Sequence, residues 1–424
     1  MSLNISERIV RYTDKNYAAT LAALNRAAQP EESVVEAVRA IVNEVRANGD
    51  KALEAFTAKF DKKNIKAKDF LVTRKSITPE AKAKGALNHS LANVTAFAKA
   101  NLPKAWNRKN REGATVGEIY HPFQRVGVNV PGFSAPLVST AIMTVAIAKA
   151  AGVPEIVVAT PPPVNDLMLY TLRLAGATEI YQVGGAHAMA ALAYGTKTIK
   201  RVNKIFGPGN KYVVEAKRQV LGAVAIDQLP GPSEIAVIAD DSARPDFIAA
   251  DLLAQAEHGP GSQILFVTAS KKLLAAVVAA LETQLPQLER QEYLAQTLKN
   301  SRLLLTRNLK EAIQIVEDFA PEHTSLVVKN GRALAKTMRN SGAIFVGNYS
   351  PVAAGDYIAG PSHTLPTGGA AKSFPGLTVD QFYKRTSIVE YSKESIRKAA
   401  PNIAILAGLE KLDAHAKSAR IRVD

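Results

Sequence analysis

Cysteine is absent from this chain of 424 residues, and tryptophan occurs once. The lack of cysteine excludes disulfides and thiolate metal sites, so any bound metal needs nitrogen and oxygen ligands. No apolar run is long enough to cross a bilayer, and the start lacks the charged, apolar and small segments of a secretory signal. We therefore expect a cytoplasmic protein without a membrane partner, long enough for more than one domain.

The formal net charge of +15 raises the possibility of nucleic-acid binding. Lys and Arg are, however, dispersed among amphipathic segments such as LAKTMRN and VVEAKRQV. The sequence shows no basic stripe interleaved with aromatic residues and no known nucleic-acid module. A basic, solvated surface is the favoured interpretation, with no nucleic-acid partner, and the alternative has only net charge in its support.

Hydrophobic periodicity predicts an α/β protein. ESVVEAVRAIVNEVRANGD is typical of a helix, with a capping box from Ser33 to Glu36, apolar residues at helical spacing and a stop at Gly49. From about residue 125, short β-branched runs such as EIVVAT alternate with helices, and the rhythm resumes with EIAVIAD and QILFVTA. Continuous apolar strands between helices indicate parallel sheets covered on both faces. We predict two doubly wound, incomplete Rossmann-like domains, an N-terminal arm and a helical C-terminal tail.

Two segments interrupt this regular pattern. In LLAQAEHGPGS, a helix is predicted to end at Gly259-Pro260, with Gln255 and His258 about 60° apart on its surface. After Gly347, the stretch NYSPVAAGDYIAGPSHTLPTGG is predicted to be a loop. Loops of this length in compact enzymes often have a functional role.

One possible metal site combines two imidazoles, a carboxylate and an amide oxygen. Gln255, His258, Asp356 and His415 would form a nitrogen and oxygen set that suits Zn²⁺ and leaves positions open for a substrate. These residues are scattered over about 160 positions, so their spacing alone does not establish the site.

The pair Glu322-His323 in DFAPEHTS could carry acid–base chemistry, with the imidazole taking a proton and the carboxylate activating water. A helix-end glutamate beside a capping histidine would explain the same pair. The Gly-rich turns GGAHA (184–188) and GPGNKY (207–212) could bring backbone amides to phosphate oxygens. Neither turn matches G-x-G-x-x-G, and tight packing explains each equally well.

Taken together and in order, these stretches resemble the histidinol dehydrogenase family. The resemblance rests on VGVNVPGFSAPLVST, QVGGAHAMAALAYGT, KIFGPGNKYVVEAKRQV, GPSEIAVIAD, LLAQAEHGP, APEHT, AAGDYIAGPSHTLPT and LEKLDAH, and it extends from about residue 25 to the C-terminus. It implies oxidation of L-histidinol to L-histidine through an aldehyde in two NAD-dependent steps, the end of histidine biosynthesis. It also implies one zinc per active site and a homodimer whose C-terminal tail reaches into the partner's site.

The resemblance assigns a role to each matching residue. His323 corresponds to the base that takes the alcohol proton, and Glu322 to the base that activates water. The implied zinc ligands are Gln255, His258, Asp356 and, from the other subunit, His415. The implied substrate contacts are Ser233, Gln255, His258, His323, Asp356, Glu410 and His415. Because Glu410 and His415 would be about 140° apart on a helix, a turn or helix start must separate them.

Departures from the family pattern lie mainly on the cofactor side. Asn129 stands where the family usually has Tyr in VGLYVPGG, and Phe133 replaces the second Gly of that stretch. His187 replaces the Gln of GGAQA, whereas Asn210 in GPGN matches. By position, Asn129, His187 and Asn210 are the expected NAD contacts. Thr324 replaces the apolar residue usual after the Glu-His pair.

The expected domain organisation follows from the resemblance and the pattern of elements. The N-terminal arm covers 1–24 and the C-terminal tail, which reaches the partner, covers 378–424. The first Rossmann-like domain is discontinuous (25–128 and 233–377) and holds the zinc and catalytic residues. The second, on the NAD side, covers 129–232.

Two other enzymes remain as alternatives. A dehydrogenase on the same scaffold could oxidise a different small polar alcohol, but Glu410 and His415 suit a substrate that carries an imidazole and an amine. A zinc hydrolase could use a metal and a nearby glutamate without any nucleotide, but Gly-rich turns and two parallel sheets favour a dehydrogenase.

Overall fold

A computed structural model describes residues 5–24, 30–132, 137–259 and 261–423. Phe133 and Pro260 lie outside these residues. No helix in the described ranges is both long and apolar enough to cross a membrane.

The strands of the described residues are short. They are β1 (Ile9–Arg11), β2 (Trp106–Lys109), β3 (Thr115–Pro122), β4 (Arg125–Asn129), β5 (Glu155–Thr160), β6 (Glu179–Gln182), β7 (Lys204–Phe206), β8 (Ala225–Ile226), β9 (Glu234–Ala239), β10 (Gln263–Thr268), β11 (Arg302–Leu305), β12 (His323–Val327), β13 (Ala343–Val346) and β14 (Tyr383–Glu390).

The α-helices of the same residues are joined by a few 3₁₀ and π turns. They are α1 (Tyr17–Leu24), α2 (Glu32–Asn48), α3 (Asp50–Phe56), α4 (Ala81–Ala100), α5 (Val138–Ala141), α6 (Ile147–Ala150), α7 (Asp166–Ala175), α8 (Gly185–Tyr194), α9 (Lys211–Val220), α10 (Pro245–Ala256), α11 (Lys271–Gln284), α12 (Gln291–Leu298), α13 (Leu309–Phe319), α14 (Gly331–Ala335), α15 (Val352–Tyr357), α16 (Lys393–Leu409) and α17 (Asp413–Arg420).

A parallel sheet of six strands, the large sheet, has the order β1-β11-β10-β9-β12-β13 among the described residues. Along its central strand β9, Ile235 and Val237 pack with α10 and α11, whereas Ala236 and Ile238 pack with α13 on the other face. Both faces are therefore buried, which explains the uninterrupted apolar sequence of this strand. The predicted parallel α/β architecture is confirmed.

A second parallel sheet, the small sheet, has the described order β6-β5-β4-β7-β8. In β5, Ile156 and Val158 pack toward α4 to α7, and Val157 and Ala159 pack toward α2, α8 and α9. The strands predicted from EIVVAT, EIYQV and KIFG all belong to this sheet.

The C-terminal segment differs from the prediction of a helical tail. After a 3₁₀ turn at Val379–Phe382, it forms β14, which pairs antiparallel with β3, with Tyr383 opposite Pro122 and Glu390 opposite Thr115. Together with β2, these strands form a small antiparallel sheet outside the two doubly wound units. Helices α16 and α17 then complete the tail as expected.

The N-terminal region also differs from the sequence prediction. Strand β1, in the predicted arm, forms an edge of the large sheet by pairing with β11. The capping box from Ser33 to Glu36 is wrong, because α2 begins at Glu32 and Glu31 at its N-cap makes no side-chain cap bond. The apolar face and the stop are confirmed: Val38 and Val45 are buried, and Gly49 has φ 51°.

Packing places α2 with the small sheet, since it contacts α8 and α9 and shares their apolar core. Residues 25–128 were predicted to belong to the domain of the large sheet, but α2 packs with the small sheet instead. Strand β4, which begins at Arg125, likewise belongs to the small sheet. We keep the boundary near residue 232, where the chain passes to the large sheet, as a proposal.

The amino edge of the large sheet faces the carboxyl edge of the small sheet across one cavity. Ser233 and His323 lie where β9 and β12 begin, at the amino edge of the large sheet. The segments after β4 and β7, at the carboxyl edge of the small sheet, lie on the other side of the same cavity. This cavity is the candidate site.

Candidate active site

The cavity between the sheets has a volume of about 310 Å³. Its walls combine Pro131 and the segment 208–210 from the small sheet with residues from the large sheet and the 356–367 segment. The predicted site residues that line it are Asn210, Ser233, His258, Glu322, His323 and Asp356. Residues that are remote in sequence therefore converge on one cavity.

Gln255 lies in the last turn of α10 and His258 lies just after it, because the helix ends three residues before the Gly259 end that LLAQAEHGPGS predicted. The helix ends at Ala256, and Gly259 has φ 104°, a left-handed conformation that favours glycine. Buried Gln255 donates from Nε2 to Ser233 Oγ at 2.7 Å. Its Oε1 is buried and has no hydrogen-bond partner within the described residues. Because a buried acceptor without a partner is costly, this oxygen is suited to coordinate a metal ion. Glu257 is exposed.

Glu322 lies between α13 and β12, after Ala320 with φ 50° has ended the helix. Its Oε2 accepts hydrogen bonds from Ser233 Oγ at 2.5 Å and from the Glu234 backbone N–H at 3.0 Å. Burial raises the pKa of Glu322 to about 8, although these two bonds favour the ionised form. Gln255, Ser233 and Glu322 thus form one hydrogen-bonded chain.

The buried carboxyl predicts an effect on stability. The pKa of Glu322 in the folded chain is about 8, above its ordinary 4.5, so native stability falls as pH rises from about 4.5 to 8. Glu322→Gln avoids this loss, and we expect it to be more stable than the native chain at pH 9 by roughly 3–5 kcal/mol, with no gain below pH 4.5.

Chemical denaturation of metal-free protein at several pH values would measure this difference. Glu282→Gln, on the exposed side of α11, is the control, because that side chain is already in water in the folded chain. An equal stability difference at pH 4 and pH 9 would contradict the prediction.

His323 is the first residue of β12 and is buried. Its Nδ1 lies 2.8 Å from the Glu234 carbonyl oxygen, which can only accept, so Nδ1 bears the hydrogen and Nε2 keeps the lone pair. Nε2 lies 3.8 Å from Asp356 Oδ1. Burial lowers the pKa of His323, which favours the neutral imidazole that a general base requires.

Asp356 belongs to the short helix α15, which interrupts the segment that we predicted to be loop. Burial raises the pKa of its carboxyl to about 6, and the carboxylate lines the cavity.

His363, in the stretch AAGDYIAGPSHTLPT, has no role predicted from the sequence. The imidazole has Nδ1 3.0 Å from the Asp356 carbonyl oxygen and Nε2 3.2 Å from Thr140 Oγ1. Because burial lowers the pKa of His363 to about 4, the ring is neutral at physiological pH. It therefore connects the helix after β4 with the segment that holds Asp356.

The predicted metal ligands are only partly assembled within one chain. The described part of the chain contains no cluster of three or more His, Cys, Asp or Glu side chains that could hold a metal. The predicted set would not form such a cluster, since Gln255 is an amide and His415 would come from the partner. His258 and Asp356 line the same cavity, and Gln255 Oε1 is unpaired, so the residues present fit a nitrogen- and oxygen-ligated ion.

Three residues were predicted on the coenzyme side. Asn129 is buried and donates from Nδ2 to the Pro208 carbonyl oxygen at 2.6 Å. His187 is buried beside a second cavity of about 720 Å³, and neither ring nitrogen has a hydrogen-bond partner among the described residues. Asn210 caps α9 by accepting from Tyr212 N and Val213 N, and it lines both cavities.

Glu410 and His415 are exposed on the C-terminal tail. Between them, Lys411 has φ 57°, and α17 begins at Asp413, so the predicted turn is present. Neither of them is among the described residues that line the cavity between the sheets.

Comparisons with known proteins agree on one family. The family model for histidinol dehydrogenase matches residues 24–423. The chain is 41% identical over 400 residues to histidinol dehydrogenase of Vibrio parahaemolyticus, covering 92% of each chain, and 39% identical over 401 residues to that of Escherichia coli, covering 93% of this chain and 92% of the relative. A crystal structure of histidinol dehydrogenase from Elizabethkingia anophelis superposes with a TM-score of 0.93 at 34% identity, covering 98% of each chain.

An acetylating aldehyde dehydrogenase from Geobacillus thermoglucosidasius shares the fold at a TM-score of 0.50 and 16% identity, with 88% of this chain and 94% of the other covered. With near-complete coverage by a family model and relatives at about two-fifths identity, the chain belongs to the histidinol dehydrogenase family and is an enzyme of the dehydrogenase class.

Proposed function

We propose that this chain oxidises L-histidinol to L-histidine through L-histidinal, as a cytoplasmic enzyme of histidine biosynthesis, with NAD and one zinc per active site. The observation that carries the proposal is the convergence of His258, Glu322, His323 and Asp356 on one cavity, beside the unpaired oxygen of Gln255. These groups supply two distinct bases and a set of metal ligands in one place.

In this proposal, His323 acts first. Its Nδ1–H is held by the Glu234 carbonyl, so Nε2 takes the proton of the substrate alcohol and prepares the carbon to release hydride. NAD, when bound, supplies the hydride acceptor for both oxidations, and zinc, when bound, supplies an anchor for the amine and imidazole of the substrate.

Glu322 acts in the second oxidation. Both of its hydrogen bonds engage Oε2, so Oε1 takes the proton from a water that adds to the aldehyde carbon. The hydrate formed in this way releases a second hydride and becomes the carboxylic acid. Ser233 holds Glu322 in place and lines the cavity, which also fits its proposed substrate contact.

The coenzyme would occupy the small-sheet side. Asn210 lines both the catalytic cavity and the 720 Å³ cavity, so an elongated dinucleotide could extend from one to the other past this residue. Buried His187 borders the second cavity, whereas Asn129 would act on the coenzyme through the loop that it holds at Pro208.

The proposed homodimer with shared sites would explain the exposed apolar face of the C-terminal tail. Ile405, Leu406 and Leu409 on α16 are 62–77% exposed, which favours burial against another chain. Glu410 and His415 follow this apolar face directly, so a partner that covers the face could receive both side chains in its own cavity. There His415 would complete the zinc ligands and Glu410 would bind the substrate imidazole.

The direct test supplies L-histidinol, NAD⁺ and zinc, follows NADH and identifies the product. The proposal requires two NADH for each histidinol consumed and histidine as the product. NADH formed only with other alcohols would favour the alternative dehydrogenase, and hydrolysis without NADH would favour a zinc hydrolase.

The proposed ligands predict zinc retention. His258→Ala or Asp356→Ala is expected to weaken zinc binding by about 100-fold or more, because each removes a ligand from a small set. Metal analysis after dialysis against a chelator would measure this. His121→Ala, which changes an exposed imidazole on β3, is the control. Full zinc retention in His258→Ala would contradict the assignment.

A further inference from the structure

The segment Gly207–Asn210, here called the GPGN loop, connects β7 to α9. Pro208, Gly209 and Asn210 line the catalytic cavity, and Asn210 also lines the 720 Å³ cavity. The loop is thus a wall shared by the proposed substrate and coenzyme sites. A small displacement of its backbone would change both cavities.

One side of the loop is fixed by tight contact with the end of β4. Gly207 has φ 103°, and a Cβ atom at this position would lie 2.3 Å from the Asn129 carbonyl oxygen, so glycine is required. The Asn129 side chain then donates to Pro208 O.

The other side is held by a buried ion pair. Lys217 on α9 and Asp227 after β8 are paired with side-chain exposures of 0% and 1%. Lys217 Nζ donates to the Gly207 carbonyl oxygen at 3.0 Å. Asp227 Oδ2 accepts from the Gly207 N–H at 2.8 Å, and Oδ1 accepts from the Gln228 N–H at 2.6 Å. Both backbone polar groups of Gly207 are therefore satisfied by one pair of charges.

Gly207 follows the last residue of β7, where the sheet no longer supplies hydrogen bonds. Buried backbone groups need partners, and apolar side chains at positions 217 and 227 would leave both Gly207 groups without them. A buried ion pair is in general no more stabilising than an apolar pair of the same volume. The charges are therefore better explained by what they hold than by a contribution to global stability.

We propose that Lys217 and Asp227 are positioning residues for the coenzyme, since they fix the GPGN loop in the conformation that receives it. This inference rests on the proposed use of NAD. Neither side chain touches a reacting atom: they act through Gly207 on Pro208, Gly209 and Asn210. Loss of the pair therefore weakens coenzyme binding and leaves the proton-transfer groups in place.

Two neutral double variants separate positioning from charge. Lys217→Gln with Asp227→Asn keeps an amide donor for Gly207 O and an amide oxygen for Gly207 N–H. Lys217→Met with Asp227→Leu removes both. Titration of the purified proteins with NADH should show an affinity within about threefold of native for the first and at least about tenfold weaker for the second, because two hydrogen bonds to the loop are lost.

Steady-state kinetics should show the same difference between coenzyme binding and the chemical step. The Met/Leu variant should show a raised KM for NAD⁺ with kcat at saturating NAD⁺ within about threefold of native, because His323 and Glu322 are untouched. Glu179→Gln is the matched control. It removes a carboxylate from the partly buried ion pair with Arg125 at the opposite edge of the small sheet and should lower stability without changing NADH affinity.

Equal NADH affinity in the two double variants would overturn the inference and leave the pair a purely structural one. A native chain that binds histidinol but no NADH would contradict the proposed function itself. If the Met/Leu variant does not fold, Asp227→Asn alone is compared with the Gln/Asn variant. Weaker NADH binding in the single variant, whose Lys217 lacks its counter-ion, supports the inference, and identical binding overturns it.

Discussion

Glu322→Gln is expected to oxidise histidinol to the aldehyde at nearly the native rate and to convert the aldehyde to histidine about 10²–10⁴ times more slowly. The amide oxygen can accept the hydrogen bonds from Ser233 and the Glu234 N–H that Glu322 Oε2 now accepts, so the site keeps its shape. An amide cannot take a proton from water. His323, which takes the alcohol proton in the first oxidation, is unchanged.

Rapid mixing of enzyme, histidinol and excess NAD⁺ would resolve the two oxidations. The variant should produce about one NADH per site quickly and then nearly stop, with histidinal as the trapped product. His323→Asn is the matched counterpart and should slow the first oxidation. Equal losses in both oxidations for Glu322→Gln would show that the division of labour between the two bases is wrong.

The second oxidation should also depend on pH. Only the ionised carboxylate accepts a proton, and burial raises the pKa of Glu322 to about 8, so the native rate should rise as pH increases toward that value. In Glu322→Gln the residual rate should lose this rise. A native rate that does not change between pH 6 and 9 would contradict Glu322 as the base.

The strands of both parallel sheets could be predicted from sequence because each is buried on two faces. EIAVIAD and EIVVAT became β9 and β5, whose residues are almost all buried. Strands that pair with a single neighbour were harder to predict from the sequence. Strand β1 has three residues and is held by β11 alone, and β14 is mostly exposed, so neither has a strong apolar pattern of its own.

Local signals failed where tertiary contacts decide the conformation. The Ser33 and Glu36 pattern is typical of a capping box, yet α2 begins one residue before Ser33. Asp356 lies in a stretch rich in Gly and Pro, yet α15 forms there and contacts α10. Composition favoured a loop at this position, and packing against a neighbouring helix overrode it.

Sequence reasoning named several residues that line the cavity between the sheets, but it missed a contact that helps to build that cavity. His258, Glu322, His323 and Asp356 line one cavity, but the sequence could not indicate that His363 would bind the Asp356 carbonyl and Thr140. The contact between His363 and Thr140 joins segments more than 200 residues apart. Motif spacing does not report such contacts.

The hydrogen-bonded chain from Gln255 through Ser233 to Glu322 has a consequence for the proposed mechanism. The amide of Gln255 donates from Nε2 to Ser233, so a metal held by its unpaired Oε1, as proposed, would also fix the donor to Ser233. Ser233 in turn donates to Glu322 Oε2. In this proposal, one hydrogen-bonded chain therefore links Gln255, at the metal site that anchors the substrate, to Glu322, the base that activates water.

The proposed sharing of the site between two chains predicts complementation between two inactive variants. His415→Ala should lack a zinc ligand in every site, and Glu322→Ala should lack the water-activating base, so each homodimer should be nearly inactive. In a heterodimer, one site would receive both defects and the other neither, because in this proposal His415 comes from the opposite chain. Random mixing makes half of the dimers heterodimers, each with one intact site, so the mixture should regain about one quarter of native activity.

Co-expression with two different affinity tags would isolate the heterodimer, and sequential purification would verify its composition. A mixture of Glu322→Ala with His323→Ala is the control. Both residues lie next to each other on one chain, so every site in that heterodimer is defective and no activity should return. If verified heterodimers of His415→Ala and Glu322→Ala remain inactive, His415 serves its own chain. The exposed apolar face of α16 would then need another explanation, because in this proposal that face brings His415 and Glu410 to the partner's cavity.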